Sequence, residues 1–155
     1  MIGLAQSERG ISAHFTDFDR YPMLFNVQNG TLDLRTGTLK THEPGDLLTK
    51  MAGTHYDPMA NCPTWLAFLD RILDHNTEMI EFVQRAVGYT LTGETSEQCL
   101  FFSHGLGANG KTTFVNALTD LLSDYATKTP SETLMVKRFG GGIPNDIARL
   151  AGARM

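Results

Sequence analysis

The chain has 155 residues, 41% of them hydrophobic and 19% charged, with a formal net charge of −4. That apolar content suits one core of ordinary size or two small ones, and no apolar run approaches the roughly 20 residues that a bilayer-spanning helix needs. The acidic balance excludes a free-standing electrostatic clamp on DNA, because unspecific duplex binding rests on neutralising several phosphates with Lys and Arg.

In chain order, residues 1–22 show no sustained apolar period and read as a loosely ordered lead-in without a secretory signal, so a cytoplasmic location is expected. Residues 23–56 form a β-rich segment. Short apolar bursts at Leu24–Val27, Leu32–Leu34 and Leu39 are separated by Asn29-Gly30 and Thr36-Gly37. Asn-Gly tolerates the positive φ of a tight hairpin turn, which predicts a small β-meander. Residues 57–97 read as a helical unit. Pro63 suits a first helical turn, and Trp65, Phe68 or Leu69, and Ile72 or Leu73 recur at helical spacing. A second helix is predicted from Thr77 to about Leu91, with Asn76 as N-cap and Gly93 as stop.

From residue 98 the period changes. Cys99-Leu100-Phe101-Phe102 is a continuous apolar run too short for a helix, which predicts a strand buried on both faces of a parallel sheet. A helix from about Lys111 to Leu122 follows, then a Thr-, Ser- and Gly-rich loop through Gly140-Gly141-Gly142. A short helix capped by Asn145 is predicted to run through Leu150. The two cysteines, Cys62 and Cys99, lack partners at metal-ligand spacing and are expected as buried thiols.

Between that strand and helix lies Gly105-Leu106-Gly107-Ala108-Asn109-Gly110-Lys111-Thr112-Thr113. It satisfies the phosphate-loop pattern of Gly, four residues, Gly, Lys, then Ser or Thr. Glycines let the backbone wrap closely round a triphosphate, Lys111 supplies a point charge to its outer phosphates, and the Thr112 hydroxyl is a ligand for Mg²⁺. The expected ligands are therefore ATP and Mg²⁺. The same residues also spell the Gly-x-Gly-x-x-Gly dinucleotide fingerprint, but Lys-Thr directly after the last glycine favours the phosphate loop. His104 reads as a polar strand terminus and Lys137-Arg138 as solvated surface. Trp65 and Phe68 read as packing residues rather than a base-stacking platform. Glu78, Glu81, Glu94 and Glu97 form no catalytic pairing.

Several motifs together resemble the primase-helicase family of phages, satellite phages and plasmids, relatives of the poxvirus primase-helicase with a superfamily 3 helicase ATPase. Phe25-Asn26-Val27-Gln28-Asn29-Gly30-Thr31-Leu32-Asp33-Leu34 is similar to the segment preceding that helicase. Cys62-Pro63-Thr64-Trp65 with Phe68-Leu69, and Gly88-Tyr89-Thr90-Leu91-Thr92-Gly93, resemble its helical linker. Gly105–Thr113 resembles its phosphate loop, Asn109 included, and residues 145–154 resemble the approach to its acidic strand. The fold so implied is α/β: the meander, the helical linker, and in residues 98–155 the first strand-loop-helix part of a P-loop ATPase sheet.

The resemblance implies an ATP-hydrolysing replicative helicase that works as a homo-oligomeric ring, expected as a hexamer, on single-stranded DNA in a bacterial host cell. Its acidic strand, polar sensor and arginine finger are not found in the 155 residues. The expectation is therefore a part of the ATPase that binds nucleotide, with Lys111 as the catalytic lysine, and that does not turn over alone. The alternative is a non-enzymatic prophage product that binds nucleotide or a helicase. A small P-loop kinase ranks last, since no acceptor site or lid is found.

Overall fold

The computed structural model describes residues 13–135 and 149–155. Lys137-Arg138, the triple glycine at 140–142 and the Asn145 cap lie outside the described residues. Arg149 and Leu150 form a turn.

The predicted meander is present as three antiparallel strands in the order β1 (Leu24–Val27), β2 (Gly30–Asp33) and β3 (Thr38–Lys40). Alternation sets Phe25, Val27, Leu32, Leu34 and Leu39 against one core, with Phe25 opposite Leu32 and Leu32 opposite Leu39. The first turn differs by one residue from the expectation. Val27 pairs with Gly30, so Gln28-Asn29 makes the connection and neither has a positive φ. Within that turn the Asn29 carboxamide is tied to the distant Tyr56 backbone, donating to its carbonyl and accepting from its N–H, both at 2.9 Å. Gly30 instead serves close approach: a Cβ there would overlap the Lys40 carbonyl of β3.

Three helices follow, α1 (Pro63–Ile72), α2 (Thr77–Leu91) and α3 (Lys111–Leu122). Pro63 occupies the first turn of α1, where its missing N–H leaves no bond unmade. Asn76 caps α2 by accepting from the Met79 N–H at 3.0 Å, as predicted. The α1–α2 turn is closed by Asp74 and His75, both with positive φ, and the His75 Nδ1 lies 2.6 Å from the Asp70 carboxylate.

Phe25, Val27, Ala52, Leu122 and Tyr125 form the core that joins the meander to the end of α3. The Tyr125 ring stacks on Phe25 with centroids 4.7 Å apart. Its hydroxyl accepts from the Asn26 N–H at 3.1 Å and donates to the Lys50 carbonyl at 3.0 Å. Residues 52–54 line the outer edge of β1, with the Ala52 N–H donating to Asn26 and the Gln28 N–H to Thr54. Arg154 closes the assembly. Its guanidinium lies 4.7 Å from the Tyr125 ring centre and donates to the Leu91 carbonyl at the end of α2 and to the Leu24 carbonyl of β1.

Three expectations are corrected. Cys99–Phe102 carries no strand, and Leu100 and Phe102 are 80% and 82% exposed. A strand buried on both faces needs neighbours on both edges, and among the described residues only the meander strands pair. The run instead borders an apolar groove beside α2, where Phe101 meets the edge of Phe82 at 6.3 Å. Both cysteines are exposed rather than buried, because Cys62 precedes the first turn of α1 and Cys99 lies in that unpaired run. The last part of the lead-in is anchored: Asp19 accepts from the Thr49 N–H at 2.8 Å, and the Pro22 carbonyl accepts from the Gly93 N–H at 2.8 Å.

Tyr125→Phe keeps the stacked ring and removes both hydroxyl bonds, leaving the Asn26 N–H and Lys50 carbonyl short of a partner. The expected loss is about 1–3 kcal/mol, measured by denaturant unfolding. Burial also pushes the Tyr125 phenol above its ordinary value of 10.0, against the opposing pull of the Asn26 bond and Arg154. The folded state therefore holds this proton to higher pH than the unfolded state does. The associated stability is complete below about pH 10 and declines as pH rises through the folded value. Comparing wild type with Tyr125→Phe across that range is expected to show the steeper alkaline loss in wild type.

Candidate functional site

The nine residues singled out in the sequence form one surface hook leading into α3. Gly110 is the N-cap of α3, at φ +84° and ψ −6°, and the Phe114 N–H donates to its carbonyl at 2.9 Å. A Cβ on Gly110 would lie 2.7 Å from Ile72 Cγ2 and 3.3 Å from the Phe68 ring, so α1 presses directly against the end of the loop. Trp65 stacks on Phe114 with centroids 5.6 Å apart and meets Phe68 at 5.4 Å. Both rings are half-buried, and packing between α1 and α3 is what they do.

Around that seat, Gly105 to Asn109 curl over the Lys111 ammonium. Nζ donates to the Asn109 Oδ1 at 2.7 Å, the Gly105 carbonyl at 2.9 Å and the Leu106 carbonyl at 3.1 Å. Ala108 takes a left-handed φ of +60°, and a Cβ on Gly105 would overlap the Asn109 carboxamide nitrogen. Leu106, Gly107, Ala108 and Asn109 are exposed, as are Thr112 and Thr113 in the first turn of α3. His104 is exposed as well.

The first turn of a helix leaves N–H groups without intrahelical acceptors, and together with the helix dipole they favour an anion. Here a lysine ammonium stands beside that turn, and small residues keep the approach open. The donor set fits a chain of phosphates, and the Thr112 hydroxyl is an oxygen ligand of the kind that Mg²⁺ accepts in company with phosphate oxygens. Among the described residues no group of three or more His, Cys, Asp or Glu is placed to hold a metal ion. No helix among them is long and apolar enough to cross a membrane.

The support that α1 gives this loop was not visible in the sequence. Phe68 and Ile72 lie far upstream of Gly110, and their helical spacing signals a buried face without naming what covers it. The bond between Asn109 and Lys111 is likewise a product of the loop's curl.

Residues 1–74 match the family model described as D5 N terminal like. The matched stretch takes in the meander and α1 and ends before the glycine-rich loop. It supports the primase-helicase resemblance for this part of the chain. No curated protein sequence matches the chain.

Gly110→Ala forces a side chain into a left-handed backbone and against Ile72. The expected cost is about 1–3 kcal/mol in thermal or denaturant unfolding. Gly107→Ala, where a Cβ has open space, is expected to leave stability nearly unchanged.

Proposed function

We propose that this chain carries the linker region and the opening part of the ATPase of a D5-like, phage-type replicative helicase, with Gly105–Thr113 as its ATP-binding loop. The observation that carries the reading is the Lys111 ammonium enclosed by a glycine-rich loop at the N-terminus of α3. The family match in residues 1–74 supports the same affiliation from an independent stretch.

In this reading Lys111 pairs with the outer phosphates of ATP, the backbone N–H groups of the loop and first turn hold the phosphate chain, and Thr112 supplies one ligand to Mg²⁺. Phosphoryl transfer to water further needs a positioned nucleophile and extra positive charge on the outer phosphate. The family resemblance assigns those tasks to an acidic strand and to an arginine from a neighbouring subunit of a ring. Single-stranded DNA is the proposed track of that ring. With a net charge of −4 these residues are not its main grip.

Calorimetric titration with Mg·ATP is the primary test. Weak binding that disappears in Lys111→Ala is expected, without hydrolysis above background, because loss of an arginine finger alone costs about 10³ to 10⁵ in rate. Lys111-dependent turnover by these 155 residues would overturn the assignment of catalysis to further elements. Absence of binding in folded wild type and in folded Asn109→Ala alike would overturn the nucleotide site itself. In anisotropy titrations at physiological salt, single-stranded DNA is expected to bind more weakly than micromolar.

A further inference from the structure

We propose that Asn109 is a stand-in for phosphate: its carboxamide oxygen holds the Lys111 ammonium and is exchanged for a phosphate oxygen when a polyphosphate binds. The proposal rests on the nucleotide-binding reading given above.

A lysine ammonium has three N–H donors and no acceptor. In this loop all three are engaged, by the Gly105 carbonyl at 2.9 Å, the Leu106 carbonyl at 3.1 Å and Asn109 Oδ1 at 2.7 Å. A phosphate oxygen therefore reaches Lys111 only by displacing one of them. With the ammonium held in place, freeing either carbonyl requires the backbone of the loop to change its dihedral angles. Freeing Oδ1 requires only rotation about the side-chain bonds of an exposed asparagine. The acceptor that closes most tightly on Lys111 is thus also the one that leaves most easily.

The other end of the same carboxamide closes on Gly105. Its nitrogen packs so close to Gly105 that any Cβ there would overlap it, so the side chain spans the loop from Lys111 to Gly105. The space it spans lies beside the lysine that polyphosphate must reach. A charged phosphate oxygen is a stronger acceptor for an ammonium than a neutral amide oxygen, so exchange runs toward phosphate when phosphate is present. When phosphate departs, Asn109 returns and the ammonium is not left without partners.

The residue type at 109 then sets the affinity. Alanine removes the competitor, and a carboxylate of the same shape pairs with Lys111 more firmly and repels the incoming charge. The probes are Mg·ATP and inorganic tripolyphosphate, titrated by calorimetry and by the fluorescence of Trp65, the one tryptophan, which stacks on Phe114 of α3. Asn109→Ala is expected to bind both about 3- to 10-fold more tightly than wild type, the worth of one displaced hydrogen bond. Asn109→Asp is expected to bind at least about tenfold more weakly at low salt, with the deficit shrinking as salt is raised. In wild type, the Asn109 side-chain amide resonances are expected to shift on adding tripolyphosphate.

Wild-type binding that depends on Lys111 but is unchanged or weakened in Asn109→Ala would overturn the stand-in role and leave the nucleotide site intact. Asn109→Asp binding as well as wild type would do the same. If neither wild type nor Asn109→Ala binds while both give folded circular dichroism spectra, the stand-in and the nucleotide site fall together. Binding by Asn109→Ala where wild type shows none would support the exchange.

Discussion

Between Asn26 on the meander and Lys50 on the segment leading into its edge, the Tyr125 hydroxyl makes two hydrogen bonds at once, while its ring stacks on Phe25 and the Arg154 guanidinium lies over both rings. Arg154 then reaches the last turn of α2 and the first residue of β1. Three separate stretches of chain, β1, the Lys50 segment and the end of α2, thus meet on one phenol and one guanidinium. A three-stranded meander is too small to bury an apolar face unaided, and here Tyr125 and Leu122 supply the cover. Burial draws the Arg154 pKa below its ordinary value, against the opposing pull of Tyr125 and Asp19, and among the described residues its charge is met by carbonyls and two aromatic rings. The hub works because those carbonyls and the aromatic face take the place of the water that the guanidinium gives up.

The same logic of remote support governs the glycine-rich loop. Helix α3 is fixed at its far end by the Leu122–Tyr125 core and at its near end by Trp65, Phe68 and Ile72 of α1. Lys111 is therefore presented from a helix clamped at both ends, while the residues before it remain exposed. The support is thus fixed beneath an exposed surface hook, the arrangement that precise placement of a charged group calls for. The D5-like match covers α1, so the helix that steadies the loop lies inside the matched stretch although the loop does not.

How much of this was legible in the sequence follows from which interactions are local. The helices, the Asn76 cap and the meander were, because 3.6-residue and two-residue periods and cap chemistry act over a few residues. The loop was also legible as a spacing of glycines and one lysine. The hub was not: Tyr125 follows a helix as an unremarked aromatic, and Arg154 sits in a stretch with no periodic signal. The apolar run at Cys99–Phe102 was legible only as strand-like, since apolarity reports a preference for burial while pairing depends on neighbours elsewhere. Asn29-Gly30 marked a hairpin correctly, yet the turn lies one residue earlier, because Gly30 is taken into β2 opposite Val27, where the neighbouring Lys40 carbonyl leaves no room for a side chain.

The separation of the hub's partners along the chain has a kinetic side. Asn26 and Tyr125 are 99 positions apart, and Leu24 and Arg154 are 130 apart. Closing loops of that length comes late in folding, because the entropy of bringing such distant segments together must be met before the contacts form. On the ribosome, the meander emerges long before its covering tyrosine and waits with an apolar face open. The helical hydrogen bonds of α1 and α2 are local and need no such closure, whereas the sheet is sealed only when Tyr125 and Arg154 arrive. The chain is therefore most exposed to chaperones and to aggregation through its N-terminal strands, the segment that looks most complete in isolation.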